Sequence, residues 1–319
     1  MSKPVLFATG LGREIHRAEN LCAIYEAYPG EKRIMSMKDD KYREEVNSGK
    51  YDLSVIDIFP TFATKKCIMI WHAIQGGKYI GLDEKTTYYS TAYEKLMSAI
   101  IVAGHGGIDM FHQCTKVPKE RIFNLGMPRT DKYFQQKPKR NPLFEGKRMY
   151  LYAPTFRNWR ETPMPVIDWD WIDKQLTDDE ILIIKPHPYS YEFYGGGGWH
   201  NHIMESDKMN ASASYLFDAS VVITDYSSIM FDAYLLNKPV VLFEKNPGYT
   251  KTRGMYLKYP DQYCSRFATN ERELLDLIRS AKRLRKADKE CRDYVADMCD
   301  GHSCERISKF IEEMNSSES

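Results

Sequence analysis

Several features that would each announce a function are missing from this chain. Its seven cysteines are scattered, odd in number and never spaced C-x-x-C. That argues against a disulfide framework or a cysteine-based zinc site and fits a reducing cytosol. No apolar run approaches the ~20 residues of a membrane span, and the opening MSKPVLFATG has too little apolar length for a signal peptide. The expectation is a soluble, cytoplasmic protein, peripheral at most at the inner face of the cell membrane. Charge of one sign is also lacking. The formal net charge is +1, so no single field dominates the surface and nucleic acid is not an expected partner. There is no repeat at a period of ~20–50 residues, and no clear D-x-D pair to clamp a metal. Neither a metal nor a cofactor is expected.

What is present is a globular composition over 319 residues, 43% hydrophobic and 28% charged, long enough for two domains with two cores. Short apolar runs alternate with amphipathic stretches. Val5–Ala8, Leu53–Ile58, Cys67–Ile70, Ile100–Ala103 and Ile122–Leu125 read as buried strands, with helices over Arg13–Tyr28, Thr91–Ser98 and Ile108–Cys114. Gln135–Gly146, with two prolines and a basic cluster, reads as a linker. The alternation then restarts with Met149–Tyr152, Ile181–Ile184, Val221–Thr224 and Val240–Phe243. It ends in a helical stretch, Glu271–Met314, broken near Gly301. Such alternation predicts α/β units with parallel sheets. The expected division is an N-terminal domain over 1–140, a C-terminal domain over 141–290 and a helical tail over 291–319, with a cleft between the domains. Open parallel sheets bind ligands at the carboxyl ends of their strands, so the residues that follow the strands carry the functional argument. Gly195–Gly198 reads as a mobile loop.

Four strand ends stand out. Thr224–Asp232, TDYSSIMFD, turns from a strand into a helix. Ser227, Ser228 and Asp225 suit ordinary helix capping. They equally suit phosphate, because a helix N-terminus offers free N–H groups and positive potential. Asp232 lies one turn beyond Ser228 on the same side. Lys185-Pro186-His187-Pro188 follows another strand. There Lys185 can balance phosphate charge, while His187 can donate to a phosphate oxygen or act as a general acid. Arg157, in APTFR after a third strand, can chelate phosphate or form a surface ion pair. In the first half, Trp71-His72 ends a strand, with Gly76, Gly77, Lys78 and Gly81 beyond it. His72 is a candidate general base or a half-buried histidine beside a core tryptophan. His105, in Gly104–Gly107, is a weaker cleft candidate. His200 and His202 read as surface residues, and Lys282–Arg292 as a solvated face.

These pieces occur together and in order, and in that order the chain resembles the CDP-glycerol glycerophosphotransferase family, the teichoic-acid primases and polymerases. The resemblance is carried by WHAIQGGKYIG, GMPRTDKYF, YAPTFR, KPHP, TDYSSIMFD, RGMY and DGHSCERI, from Cys67 to Ile307. It implies a GT-B fold of two Rossmann-like domains, with the donor held mainly by the C-terminal one and the acceptor facing the N-terminal one. It implies CDP-glycerol or a related CDP-alditol as donor, and a lipid-linked or oligosaccharide acceptor. By matching motif, His72 would be the base. His187, Arg157, Ser227, Ser228 and Asp232 would contact donor phosphates and glycerol, with Lys185, Thr224, Asp225 and Arg253 beside them. Gly76, Gly77, Lys78 and Arg129 would face the acceptor. Gln75 and Tyr79 depart from the family's usual residues, which suggests an acceptor loop tuned to a different acceptor. The readings from other classes are a nucleotide-sugar glycosyltransferase on the same fold and a binding protein with a decayed site.

Overall fold

The computed structural model describes all residues except 1, 61, 78–89, 136–140, 156–165, 188–189, 191–199, 207–211, 246–253 and 318–319. The chain forms two compact units. The first joins Met1–Gln136 to Asp293–Ser319, and the second is Lys137–Arg292.

The first unit is built on a six-stranded parallel sheet. Its strands are β1 (Val5–Thr9), β2 (Lys32–Ser36), β3 (Leu53–Ile56), β4 (Lys66–Ile70), β5 (Ala99–Val102) and β6 (Ile122–Asn124), in the order β2-β1-β3-β4-β5-β6. Every residue of β1, β3 and β5 is buried. This is why those strands read as unbroken apolar runs: a parallel sheet is covered on both faces. The covering helices are α1 (Glu19–Ala27), α2 (Tyr42–Asn47), α3 (Ser90–Leu96), α4 (His105–Thr115) and α5 (Lys132–Gln135).

The second unit carries another six parallel strands, β7 (Arg148–Tyr152), β8 (Glu180–Ile184), β9 (Ile203–Glu205), β10 (Val221–Thr224), β11 (Val240–Phe243) and β12 (Phe267–Ala268). Their order is β12-β11-β10-β7-β8-β9. Counted within the unit, this is the 3-2-1-4-5-6 order of doubly wound nucleotide-binding sheets, and the order reverses between β7 and β10. Its helices are α6 (Trp169–Gln175), α7 (Ser212–Asp218), α8 (Ile229–Leu235) and α9 (Glu271–Ser280). The start of α9 shows how local sequence sets a boundary. Asn270 accepts the Glu273 N–H at 3.0 Å, and Glu273 reaches back to the Thr269 N–H at 2.9 Å, a reciprocal cap. Leu274, Leu275 and Ile278 then bury one stripe of the helix in the core, each contributing ~1.5–3 kcal/mol. An aspartate at Leu274 would put a charge into that stripe and break it.

The expected helical stretch at the C-terminus is three helices: α9, α10 (Lys286–Ala296) and α11 (Ser303–Ser316). The division between the two units falls within α10, so α11 belongs to the first unit. The nine expected strands are all present within a residue or two of their predicted bounds. The pattern missed β2, β9 and β12, all at or next to sheet edges. Edge strands lose the two-sided burial that makes a strand readable, as the mixed KRIMS of β2 shows.

Candidate functional site

In the second unit, the strand ends flagged by sequence are neighbours in the sheet. Asp225 is the first residue after β10, and its Oδ1 accepts the backbone N–H of Thr155, beyond β7, at 2.8 Å, and of Tyr226 at 2.6 Å. The Thr224 hydroxyl donates to the Ala153 carbonyl at 2.7 Å, and the Ala153 N–H donates to the Ile223 carbonyl at 2.9 Å. Lys185, just after β8, donates its backbone N–H to the Tyr152 carbonyl at 2.8 Å. The exits of β10, β7 and β8 are thereby laced together at the reversal of strand order, where such sheets bind ligands.

This geometry divides the predicted donor residues. Thr224 and Asp225 are buried and their polar atoms hold the loops in register. Lys185 and Asp232 are also buried, at 4% exposure each. Ser227 and Ser228 are half-buried at the entry to α8 and His187 is exposed, so these three keep some access to solvent. The capping expected of the serines is thin. Ser228 stands at the N-cap without a side-chain cap bond, and Ser227 Oγ lies 3.5 Å from the Ile229 N–H. Arg157, Arg253 and Gly195–Gly198 lie outside the described residues, as do Lys78, Tyr79 and Gly81.

Two residues there escaped the sequence reading. The hydroxyls of Thr155 and Ser190 are buried and have no hydrogen-bond partner among the described residues. Thr155 sits in the loop after β7, and Ser190 follows KPHP, donating its N–H to the His187 carbonyl at 2.7 Å. A buried hydroxyl without a partner costs ~1–3 kcal/mol, so the two mark places where an incoming oxygen would be welcome. Lone hydroxyls carry no sequence signal of their own. A cavity of about 590 Å³ also opens in this unit, lined by Arg148, Lys238 and Lys282 among others. It lies at the amino ends of β7, β10 and β11, the wrong end of the sheet for the donor.

In the first unit, His72 follows β4 and is exposed, with its ring 4.4 Å from that of Trp71. Trp71 packs in turn against Phe59 and Phe111. Gly76 and Gly77 are buried in the same loop, and Gly76 takes a φ of 138° that a side chain would resist. Gln75 does not lie on the loop's surface. It is 2% exposed, donates to the Ala73 carbonyl at 3.1 Å and accepts the Ala103 N–H at 3.2 Å, tying the loop after β4 to the end of β5. Arg129 lies in the turn Pro128–Thr130. Its guanidinium donates to the Tyr133 hydroxyl at 3.3 Å and lies 4.0 Å from Glu19.

Two other motifs prove to be one clasp. Asp131, in GMPRTD, accepts the Ser303 and Cys304 N–H groups at 3.0 and 2.7 Å and so caps α11. Gly126, at φ 93°, lies so close that a Cβ would meet the Met298 carbonyl and the Ser303 hydroxyl, both at 2.3 Å. Arg306 donates to the Leu125 carbonyl at 3.1 Å and pairs with Asp300. His105 is held at the start of α4: its ring lies 3.3 Å from Asp297 and its backbone N–H donates to the same carboxylate at 3.0 Å. A D-x-D pair does exist, Asp168-Trp169-Asp170. Asp168 caps α6 through the Trp171 N–H at 2.9 Å, and Asp170 lies 3.2 Å from His200. The His200 and His202 rings are mostly covered rather than surface groups, with His202 3.2 Å from Asp178.

Comparison with known proteins bears on the family and the fold. The model of the family CDP-glycerol:poly(glycerophosphate) glycerophosphotransferase matches residues 40–313. A teichoic acid glycerol-phosphate primase of Bacillus subtilis is 28% identical over 271 residues, 78% of this chain and 68% of the relative. A teichoic acid poly(ribitol-phosphate) polymerase of Bacillus spizizenii is 25% identical over 310 residues, 85% of this chain and 49% of the relative. The chain therefore spans between about half and two thirds of these relatives. Among solved structures, the wall teichoic acid polymerase TagF superposes with a TM-score of 0.78 at 18% identity, covering 98% of this chain and 89% of that one. A UDP-GlcNAc 2-epimerase of Methanocaldococcus jannaschii gives 0.57 at 13% identity over 97% and 99%. These likenesses fix the fold as GT-B in type. The chain belongs to the CDP-glycerol:poly(glycerophosphate) glycerophosphotransferase family.

Proposed function

We propose that the chain transfers glycerol phosphate from CDP-glycerol to an acceptor hydroxyl in the synthesis of a teichoic-acid-like envelope polymer. The acceptor oxygen bonds to the phosphorus that carries glycerol, the bond from that phosphorus to the CMP oxygen breaks, and the acceptor's proton passes to His72. The observation that carries this reading is the laced set of exits of β7, β8 and β10, at the reversal of a nucleotide-binding sheet order, in a chain of this family. The exposed His187 and the half-buried Ser227 and Ser228, with the hydroxyls of Thr155 and Ser190 that find no partner among the described residues, supply donors for a pyrophosphate that gains charge as CMP leaves. Lys185, Asp232, Arg157 and Arg253 complete the donor set by matching motif. Gly76, Gly77, Lys78 and Arg129 stand on the acceptor side.

A ribitol donor is the second reading, because the poly(ribitol-phosphate) polymerase matches over the larger share of this chain. Among the described residues no helix is long and apolar enough to cross a membrane. A lipid-linked acceptor would bring the protein to the cytoplasmic face as a peripheral enzyme. The test is CMP release from CDP-glycerol and from CDP-ribitol against lipid-linked disaccharide, polyol-phosphate oligomer and capsular oligosaccharide acceptors. Release with a UDP- or CMP-sugar alone would make the protein a glycosyltransferase. Donor binding without release on any acceptor would make it a binding protein.

A further inference from the structure

Asn20 lies in the first turn of α1, 1% exposed, far in sequence from every motif. Its two amide atoms do opposite jobs. Nδ2 donates to the Trp71 carbonyl at 2.9 Å, and Oδ1 accepts the Arg129 N–H at 3.1 Å. A peptide unit is planar and contains both flanking Cα atoms. Holding the Trp71 oxygen therefore fixes the plane that carries the Cα of His72. Holding the Arg129 nitrogen fixes the plane that carries the Cα of Arg129. The neighbouring Glu19 reaches the Arg129 guanidinium at 4.0 Å, and the Trp71 ring lies against the His72 ring. One turn of helix thus sets the backbone under two residues placed on the acceptor side.

We propose that Asn20 is a positioning residue that holds the His72 loop and the Arg129 turn in one fixed relation for attack by the acceptor. This rests on the reading of His72 as the base. Only an asparagine of this length fits both partners. Aspartate keeps the acceptor for Arg129 but turns a carboxylate oxygen toward the Trp71 carbonyl. Serine and alanine reach neither partner. The group fixed here bears on attack rather than on the donor phosphates, so the loss should fall on kcat.

The experiment measures CMP release from CDP-glycerol, with the acceptor that supports wild-type turnover, for Asn20→Asp, Asn20→Ser, His72→Ala and Asn20→Asp/His72→Ala. CDP-glycerol affinity is taken by calorimetry and folding by thermal melt. Misplacing a reacting group by about 1 Å costs on the order of 100-fold, so each folded Asn20 variant should lose ~10–100-fold in kcat with donor affinity within about 2-fold. The double variant should be no slower than His72→Ala alone. If one Asn20 variant does not fold, the other carries the test. If neither folds, Asn20 serves stability alone and the proposal fails. Wild-type kcat in a folded Asn20 variant, or a loss confined to donor affinity, also overturns it while leaving the parent reading standing. Near wild-type turnover in His72→Ala overturns the parent reading itself.

Discussion

Replacing Asp225 tests whether the donor site is a preformed device. Its Oδ1 accepts two backbone N–H groups, from Thr155 at 2.8 Å and Tyr226 at 2.6 Å, at 2% exposure. Asp225→Asn keeps an acceptor oxygen but removes the charge. A hydrogen bond to a charged group contributes ~1.5–3 kcal/mol against ~0.5–1.5 for a neutral pair, so two bonds predict a loss of ~2 kcal/mol. Asp225→Ala strands both buried N–H groups at ~1–3 kcal/mol each, or ~2–6 kcal/mol together. Urea unfolding read by tryptophan fluorescence suits the measurement, because Trp159, Trp169, Trp171 and Trp199 fall in the second unit and only Trp71 in the first. Saturation with CDP-glycerol at ~100 Kd should stabilise the wild type by ~2.7 kcal/mol, and the Ala variant should lose most of that gain. If Asn and Ala both unfold within ~0.5 kcal/mol of wild type, a spread expected of neutral surface changes, the lacing is not what holds the loops. A full ligand-induced gain in Asp225→Ala would show that donor binding does not need it.

Alanine at His72 or at His187 should each lower turnover by at least ~100-fold, as loss of a general acid or base does. His72→Ala should leave CDP-glycerol affinity unchanged by calorimetry, whereas His187→Ala should weaken it; the opposite pattern would exchange their roles. Asp131→Ala removes the cap of α11 and should destabilise the first unit by ~1–2 kcal/mol, read as a lower thermal midpoint, with no change in donor affinity. Glu180 is pushed up by burial, but hydrogen bonds from Arg279, Tyr150 and Thr177 outweigh that and hold it down at about 2 from an ordinary 4.5. A carboxylate depressed in the folded state stabilises above its unfolded value and loses that contribution as pH falls through the folded one. Stability should therefore decline from about pH 4.5 toward 2, and Glu180→Gln should flatten that limb of a urea-midpoint profile.

The buried strands were legible because parallel sheets demand unbroken apolar runs, and strand ends then point to a candidate site. Val221–Thr224 and Val240–Phe243 were placed to the residue for that reason. Motif order pointed to the family but not to what each motif does. GMPRTD and DGHSCERI look functional together, yet Asp131, Gly126 and Arg306 spend themselves on closing the first unit around α11. Asn20 carried no sequence signal because it bonds backbone groups distant in sequence, and a lone amide side chain has no pattern to read. Asp225 was legible as a capping residue and turned out to work sideways, across strands, which no local rule predicts.

That sideways use of an aspartate occurs twice. Asp57 is the first residue after β3. It is fully buried and accepts the Thr9 hydroxyl at 2.6 Å and the Gly10 N–H at 2.9 Å, at the exit of the neighbouring β1. Asp225 is the first residue after β10 and accepts the Thr155 N–H at the exit of β7. In each unit the two strands involved are those between which the strand order reverses. A crevice opens there because the chain leaves adjacent strands toward opposite sides, and two diverging loops with free backbone N–H groups would otherwise drift. A carboxylate set directly after one strand supplies the missing acceptor for the other's loop. Burial raises the pKa of Asp57 even so, while the bonds from Thr9 and Gly10 oppose the rise. The two units thus solve one architectural problem with the same residue type.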